Sequence, residues 1–163
     1  MTSPTNLAPL SDLYRLNTRL VLNCLDGLSD VDATRRLTPA TNNIAFLAVH
    51  LTDVRYFLAK LLGRKLENPL AERFGEVKSI EEVTSFPSVE ELRGLWTGIS
   101  TQLMECLKKA RPEMLKAKAP HRFPVSDSSV LGAVAFLAQR ESYHLGQIAF
   151  LRKAVGQPAM AYP

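Results

Sequence analysis

Four stretches of the chain place apolar residues at spacings of three and four, the period of a helix with one buried face. Over residues 10–26 the stripe is Leu13, Leu16, Leu20 and Cys24, continued by Leu28, with Gly27 as the stop. Over residues 42–62 it is Ile44, Leu47, Leu51, Val54, Leu58 and Leu61, and Gly63 follows. A third stretch opens at Ser88, three residues before Glu91, as in a capping box. Its seam is Leu92, Trp96, Ile99, Leu103 and Cys106 or Leu107, until Pro112 interrupts. The fourth begins near Ser126 or Asp127 and runs to Val155, with Val130, Val134, Leu137, Leu145 and Ile148 inward, before Gly156 and Pro158. A polar stretch, residues 29–36, has room for one or two helical turns. No stretch alternates as a strand does; the nearest, residues 121–125, is short and carries proline.

The pattern predicts an all-α chain, a four-helix bundle. The connection over residues 64–87 is too long for a hairpin and can cross the whole bundle, because extended chain reaches about 3.3 Å per residue against about 1.5 Å in a helix. The second and third helices can therefore run parallel, in an up-down-down-up order with a long crossover. Residues 1–9 are expected to be a flexible leader, residues 10–158 the domain and residues 159–163 a tail.

Composition narrows the setting. Of 163 residues, 46% are hydrophobic and 22% charged, enough for one packed core. The net charge of +4 is too small to point to nucleic acid. The longest apolar run, residues 130–138, is far short of the roughly 20 residues of a membrane span. Cys24 and Cys106 lie on apolar stripes at no metal-ligand spacing, as small buried hydrophobes in a reducing compartment would. A cytoplasmic protein is the expectation.

Ionisable residues near these stripes carry whatever chemistry there is. His50 falls about 60° from the axis of the second stripe, at the flank of the core, and Asp53 lies further round. On the fourth helix Glu141 sits inside the stripe between Leu137 and Leu145. His144 is on its flank, and Arg140 shares a ridge with His144. Glu141 reads either as a ligand-binding carboxylate or as half of a buried ion pair with an arginine from a neighbouring helix. A basic stretch, Lys108, Lys109, Arg111, Lys116, Lys118 and Arg122, reads as charges suiting a helix C-terminus or as an anion-binding lip. Ser126, Ser128 and Ser129 read as capping residues. There is no glycine-rich phosphate loop and no serine nucleophile elbow.

The run NIAFLAVHL over residues 43–51 resembles the second-helix motif of the DinB/YfiT-like superfamily. The run QRESYHLGQI over residues 139–148, followed by FLRKAVG over residues 150–156, resembles its fourth-helix signature. The resemblance implies a four-helix bundle with a crossover, often a homodimer. It also implies one divalent metal, zinc or nickel, held by three histidines, in relatives that act with low-molecular-weight thiols or as isomerases. Two of those ligands match His50 and His144. The third falls on Arg140, which has no lone pair and stays cationic. The expectation is a degenerate site without a cofactor, in which Arg140, Glu141 and Asp53 face a small anionic ligand. A metal-dependent thiol transferase, hydrolase or isomerase using His50 and His144 is the alternative.

Overall fold

A computed structural model describes residues 7–162. Its helices are α1 (Ala8–Leu25), α2 (Asp30–Thr34), α3 (Ile44–Leu61), α4 (Ala71–Phe74), α5 (Val89–Lys109), α6 (Pro112–Lys116) and α7 (Val130–Ala154), with a 3₁₀ turn at Ile80–Glu82. The chain is all-α: no strand forms among the described residues, only an isolated antiparallel bridge between Lys118 and Ser129. No helix there is long and apolar enough to cross a membrane.

Local chemistry sets the ends. The Asn43 side chain accepts from the Phe46 N–H at 2.8 Å and starts α3. Ser88 accepts from the Glu91 N–H at 3.1 Å and starts α5, as its spacing predicts. Gly63 and Gly156, the stops after α3 and α7, take φ of 86° and 90°, where a side chain would be strained. The start of α7 differs from expectation. Ser129, rather than Ser126 or Asp127, caps it by accepting from the Gly132 N–H at 3.2 Å. The connection at residues 64–87 contains α4 and the 3₁₀ turn, two pieces of helix too short for periodicity to reveal.

The four long helices pack pairwise: α3 touches α5 and α7, and α1 touches the same two. One apolar cluster joins Leu20 and Cys24 of α1, Leu47 of α3, Trp96 of α5 and Ile148 of α7. A second joins Tyr14 of α1, Leu58 of α3, Leu103 of α5 and Val134 of α7. Thus the C-terminal ends of α1 and α7 meet the N-terminal ends of α3 and α5, and the reverse holds at the other end. Leu13 departs from its predicted stripe and is exposed, because Tyr14 takes the inward position and its hydroxyl donates to the Val134 carbonyl at 2.8 Å.

Of the expected leader, residues 1–6 lie outside the described residues; Leu7 is fully buried and the helix begins at Ala8. In the expected tail, Met160 packs on the core and the Ala161 N–H donates to the Asn23 side chain at 2.9 Å. Cys24 and Cys106 are buried and unpaired, and burial pushes both thiols up, Cys24 to about 11.

Candidate functional site

The α3–α7 contact creates two polar clusters, one inside and one at the groove. Inside, Arg55 of α3 is fully buried and Glu141 of α7 nearly so. Arg55 Nε donates to Glu141 Oε2 at 2.8 Å and Nη2 to Oε1 at 2.7 Å, a two-pronged pair. The remaining guanidinium hydrogens go to the Thr18 and Ser100 hydroxyls and, at 3.0 Å, to the Tyr14 carbonyl. The guanidinium carbon stands 3.7 Å from the centre of the Trp96 ring, a cation–π contact. Burial, with the Glu141 charge adding to it, holds the Tyr14 phenol well above its usual pKa. Both oxygens of Glu141 are engaged inside the core, so this carboxylate is not brought to the histidines. Arg55 is the residue that sequence reasoning missed. Its signal was available: it lies four residues after Leu51 and three before Leu58, on the buried ridge.

At the groove, the His50 and His144 rings come together with centroids 4.8 Å apart and planes at 58°. Both are half-buried. His144 Nδ1 lies 2.9 Å from the Arg140 carbonyl oxygen. That oxygen only accepts, so Nδ1 carries the hydrogen and Nε2 keeps the lone pair in the neutral ring. Tyr143 meets the His144 ring edge-on at 5.3 Å. Burial lowers the His50 pKa to about 4, helped by His144 and by the Arg140 cation. Burial and Arg140 also lower that of His144, against the opposing effect of its hydrogen bond to the Arg140 carbonyl. Near pH 7 two neutral, half-buried imidazoles therefore stand together within the field of the Arg140 cation.

Asp53 lies one turn after His50 and lines with it a small hollow between α3 and residues 74–77, closed by Phe46, Phe74 and Val77. It accepts from the Asn68 side chain at 2.7 Å, and burial raises its pKa against that hydrogen bond. Arg140 is exposed and has no carboxylate partner among the described residues.

The family model described as the DinB superfamily matches residues 13–148, from α1 into the last turns of α7. The chain belongs to the DinB superfamily. No curated protein matches it. In this DinB-superfamily chain the three-histidine set implied by resemblance has two members in contact, while the third position carries Arg140. Among the described residues no group of three or more His, Cys, Asp or Glu side chains gathers as a metal centre would. Two imidazoles and a guanidinium do not fit a divalent ion, because the third group offers charge of the wrong sign and no lone pair.

Proposed function

We propose that this DinB-superfamily protein is an up-down-down-up four-helix bundle whose ancestral metal position has become a receptor for a small anionic ligand. The observation that carries the reading is the contact of the half-buried His50 and His144 rings, with the Arg140 cation near enough to lower the pKa of both. An exposed guanidinium with no carboxylate partner among the described residues presents a planar fork to a carboxylate, and the neutral His50 imidazole can add one N–H donor, the His144 N–H being held by the Arg140 carbonyl. A divalent ion at the same place would meet the guanidinium charge with a repulsion of several kcal/mol, on the order of 4 kcal/mol per unit charge at 4 Å and an effective dielectric of 20. The shared clusters of helix ends support the bundle order. Asp53, one turn away, sets the polar edge of the site.

The alternative is a metal-dependent transferase acting with a small thiol. One feature favours it: His144 Nε2 keeps its lone pair beside His50. The two readings separate on metal content. Untagged protein purified without added metal is expected to hold well under one zinc or nickel per chain. Arg140→His is expected to raise zinc affinity by roughly a hundredfold or more, since a direct ligand should count for at least as much as the outer-shell partners whose loss costs about 10–100-fold. Tight stoichiometric metal in the parent, with loss on His50→Gln, would hand the site to the transferase reading.

A homodimer is also proposed. Tyr143 and Phe150, seven residues apart on α7, are 59% and 67% exposed and line one recess with Leu37. Light scattering at micromolar concentration should give twice the chain mass, and a monomeric mass rejects pairing.

A further inference from the structure

A different part of the chain carries a second recess. Residues 118–128 join α6 to α7 as a loop closed at its base. The Ala119 N–H donates to the Ser128 carbonyl at 2.9 Å, and the Val130 N–H to the Ala117 carbonyl at 2.8 Å. The loop presses against α7 because residue 132 is glycine: a Cβ there would stand 2.1 Å from the Asp127 carbonyl oxygen. The His121 ring lies tilted against Phe57 of α3 with centroids 5.9 Å apart, and Phe123 lies tilted against Phe136 of α7 at 5.7 Å. Pro120 and Pro124 fix two further backbone angles. The segment is thus held in shape before any ligand arrives, which lowers the ordering cost of binding.

The recess measures about 590 Å³, the size of a small-molecule site. Its donors are Lys118, His121, Arg122, Ser126 and Ser128, and among the described residues no carboxylate lines it. Phe123 and Val125 supply an apolar wall. The one acid in the loop, Asp127, is not among the lining residues and accepts from the Ser129 N–H at 2.9 Å. Neither Lys118 nor Arg122 forms a salt bridge among the described residues. Helix-end electrostatics account for Lys108 and Lys109 in the last turn of α5 and for Lys116 in that of α6. They do not account for Lys118 and Arg122, which lie beyond both helices. With Ser129 as the cap of α7, the Ser126 and Ser128 hydroxyls are also free of the capping role their positions suggested.

We propose that this recess binds the phosphate monoester group of a small molecule. Two cations, an imidazole N–H and two hydroxyls exceed what a carboxylate's two oxygens can use, and they suit a dianion with three acceptor oxygens. The apolar wall would take the ester's organic part. The two aromatic rings that flank Arg122, His121 and Phe123, are packed on Phe57 and Phe136 and offer no free platform for stacked bases, so the ligand is small.

The test is a titration of the full chain with phenyl phosphate, followed residue by residue by NMR. Saturable shifts centred on residues 118–128 are expected. Binding should weaken roughly tenfold or more in the double variant Lys118→Gln, Arg122→Gln, and benzoate should bind the parent roughly tenfold more weakly than phenyl phosphate. All the substituted side chains are exposed, so the fold is retained. Absence of saturable shifts in the loop, or equal affinity in the double variant, overturns the proposal. Benzoate binding as well as phenyl phosphate overturns the phosphate assignment. Weakening by Arg140→Gln instead of the double variant moves the anion to the histidine groove and overturns a separate site.

Discussion

Arg140 and Glu141 are neighbours in sequence, yet they belong to two polar regions with opposite character. Glu141 is locked in the core by Arg55, with both carboxylate oxygens and all five guanidinium hydrogens engaged. Arg140, about 100° round the helix, faces a groove with two neutral histidines and no counterion among the described residues. The same pair of helices, α3 and α7, builds both. A buried charge survives only when fully partnered, so the inner cluster is closed to ligands. The groove cluster keeps unspent donors, and it is there that an outside anion gains from binding.

Removing one partner of the closed cluster has the largest expected effect. Glu141→Ala strands the Arg55 guanidinium against Trp96 and should cost about 3–5 kcal/mol in urea unfolding. The double change Arg55→Met, Glu141→Leu should recover most of that loss. A small effect of Glu141→Ala would mean that the inner cluster is not closed and that the contrast with the groove fails.

The groove should instead announce itself through pH. The His50 pKa is near 4 in the folded chain and about 6.5 when unfolded, so between those values the unfolded chain binds more protons. Stability is therefore complete above about pH 6.5, falls as pH drops to about 4, and levels off below. The loss is on the order of 2 kcal/mol after allowance for the ring's remaining exposure. His144, with its lowered pKa, acts in the same direction, whereas Asp53, with its raised pKa, acts against it. His50→Gln should flatten most of the slope in chemical denaturation across that range. An unchanged slope would place the titrating groups elsewhere.

The smallest expected effect lies at the margin of the closed cluster. Tyr14→Phe removes the hydroxyl that donates to the Val134 carbonyl but keeps the Tyr14 backbone carbonyl that accepts from Arg55. A loss of about 1 kcal/mol is expected, one hydrogen bond's net worth. A loss as large as that of Glu141→Ala would show the phenol to be part of the ionic network.

Much of this was legible along the chain. The capping residue Ser88, the glycine stops and the stripes of α3 and α7 are local signals, and they reappear as helix ends and buried faces. The flank positions of His50 and His144 followed from angle alone. α1 was read less well, since a stripe through Leu13 gave way to one through Tyr14, whose polar tip found a partner on α7. The cap of α7 was misplaced by two or three residues because the loop before it bonds back onto residues 117 and 128.

The sequence by itself determined an all-helical chain, the main helices and the family, because periodicity, caps and breakers act within a few residues of one another. It also determined that arginine stands where the resemblance implies a histidine ligand. The approach of the two imidazoles was already expected from their flank positions and their match to two ligands of one site. Only the tertiary structure decided that Glu141 belongs to Arg55 and not to the histidines, and that Lys118, Arg122 and two serines surround one recess. Those outcomes depend on which helix faces meet and how closely. Contacts between residues tens of positions apart are set by the packing of the whole core, which no local pattern encodes.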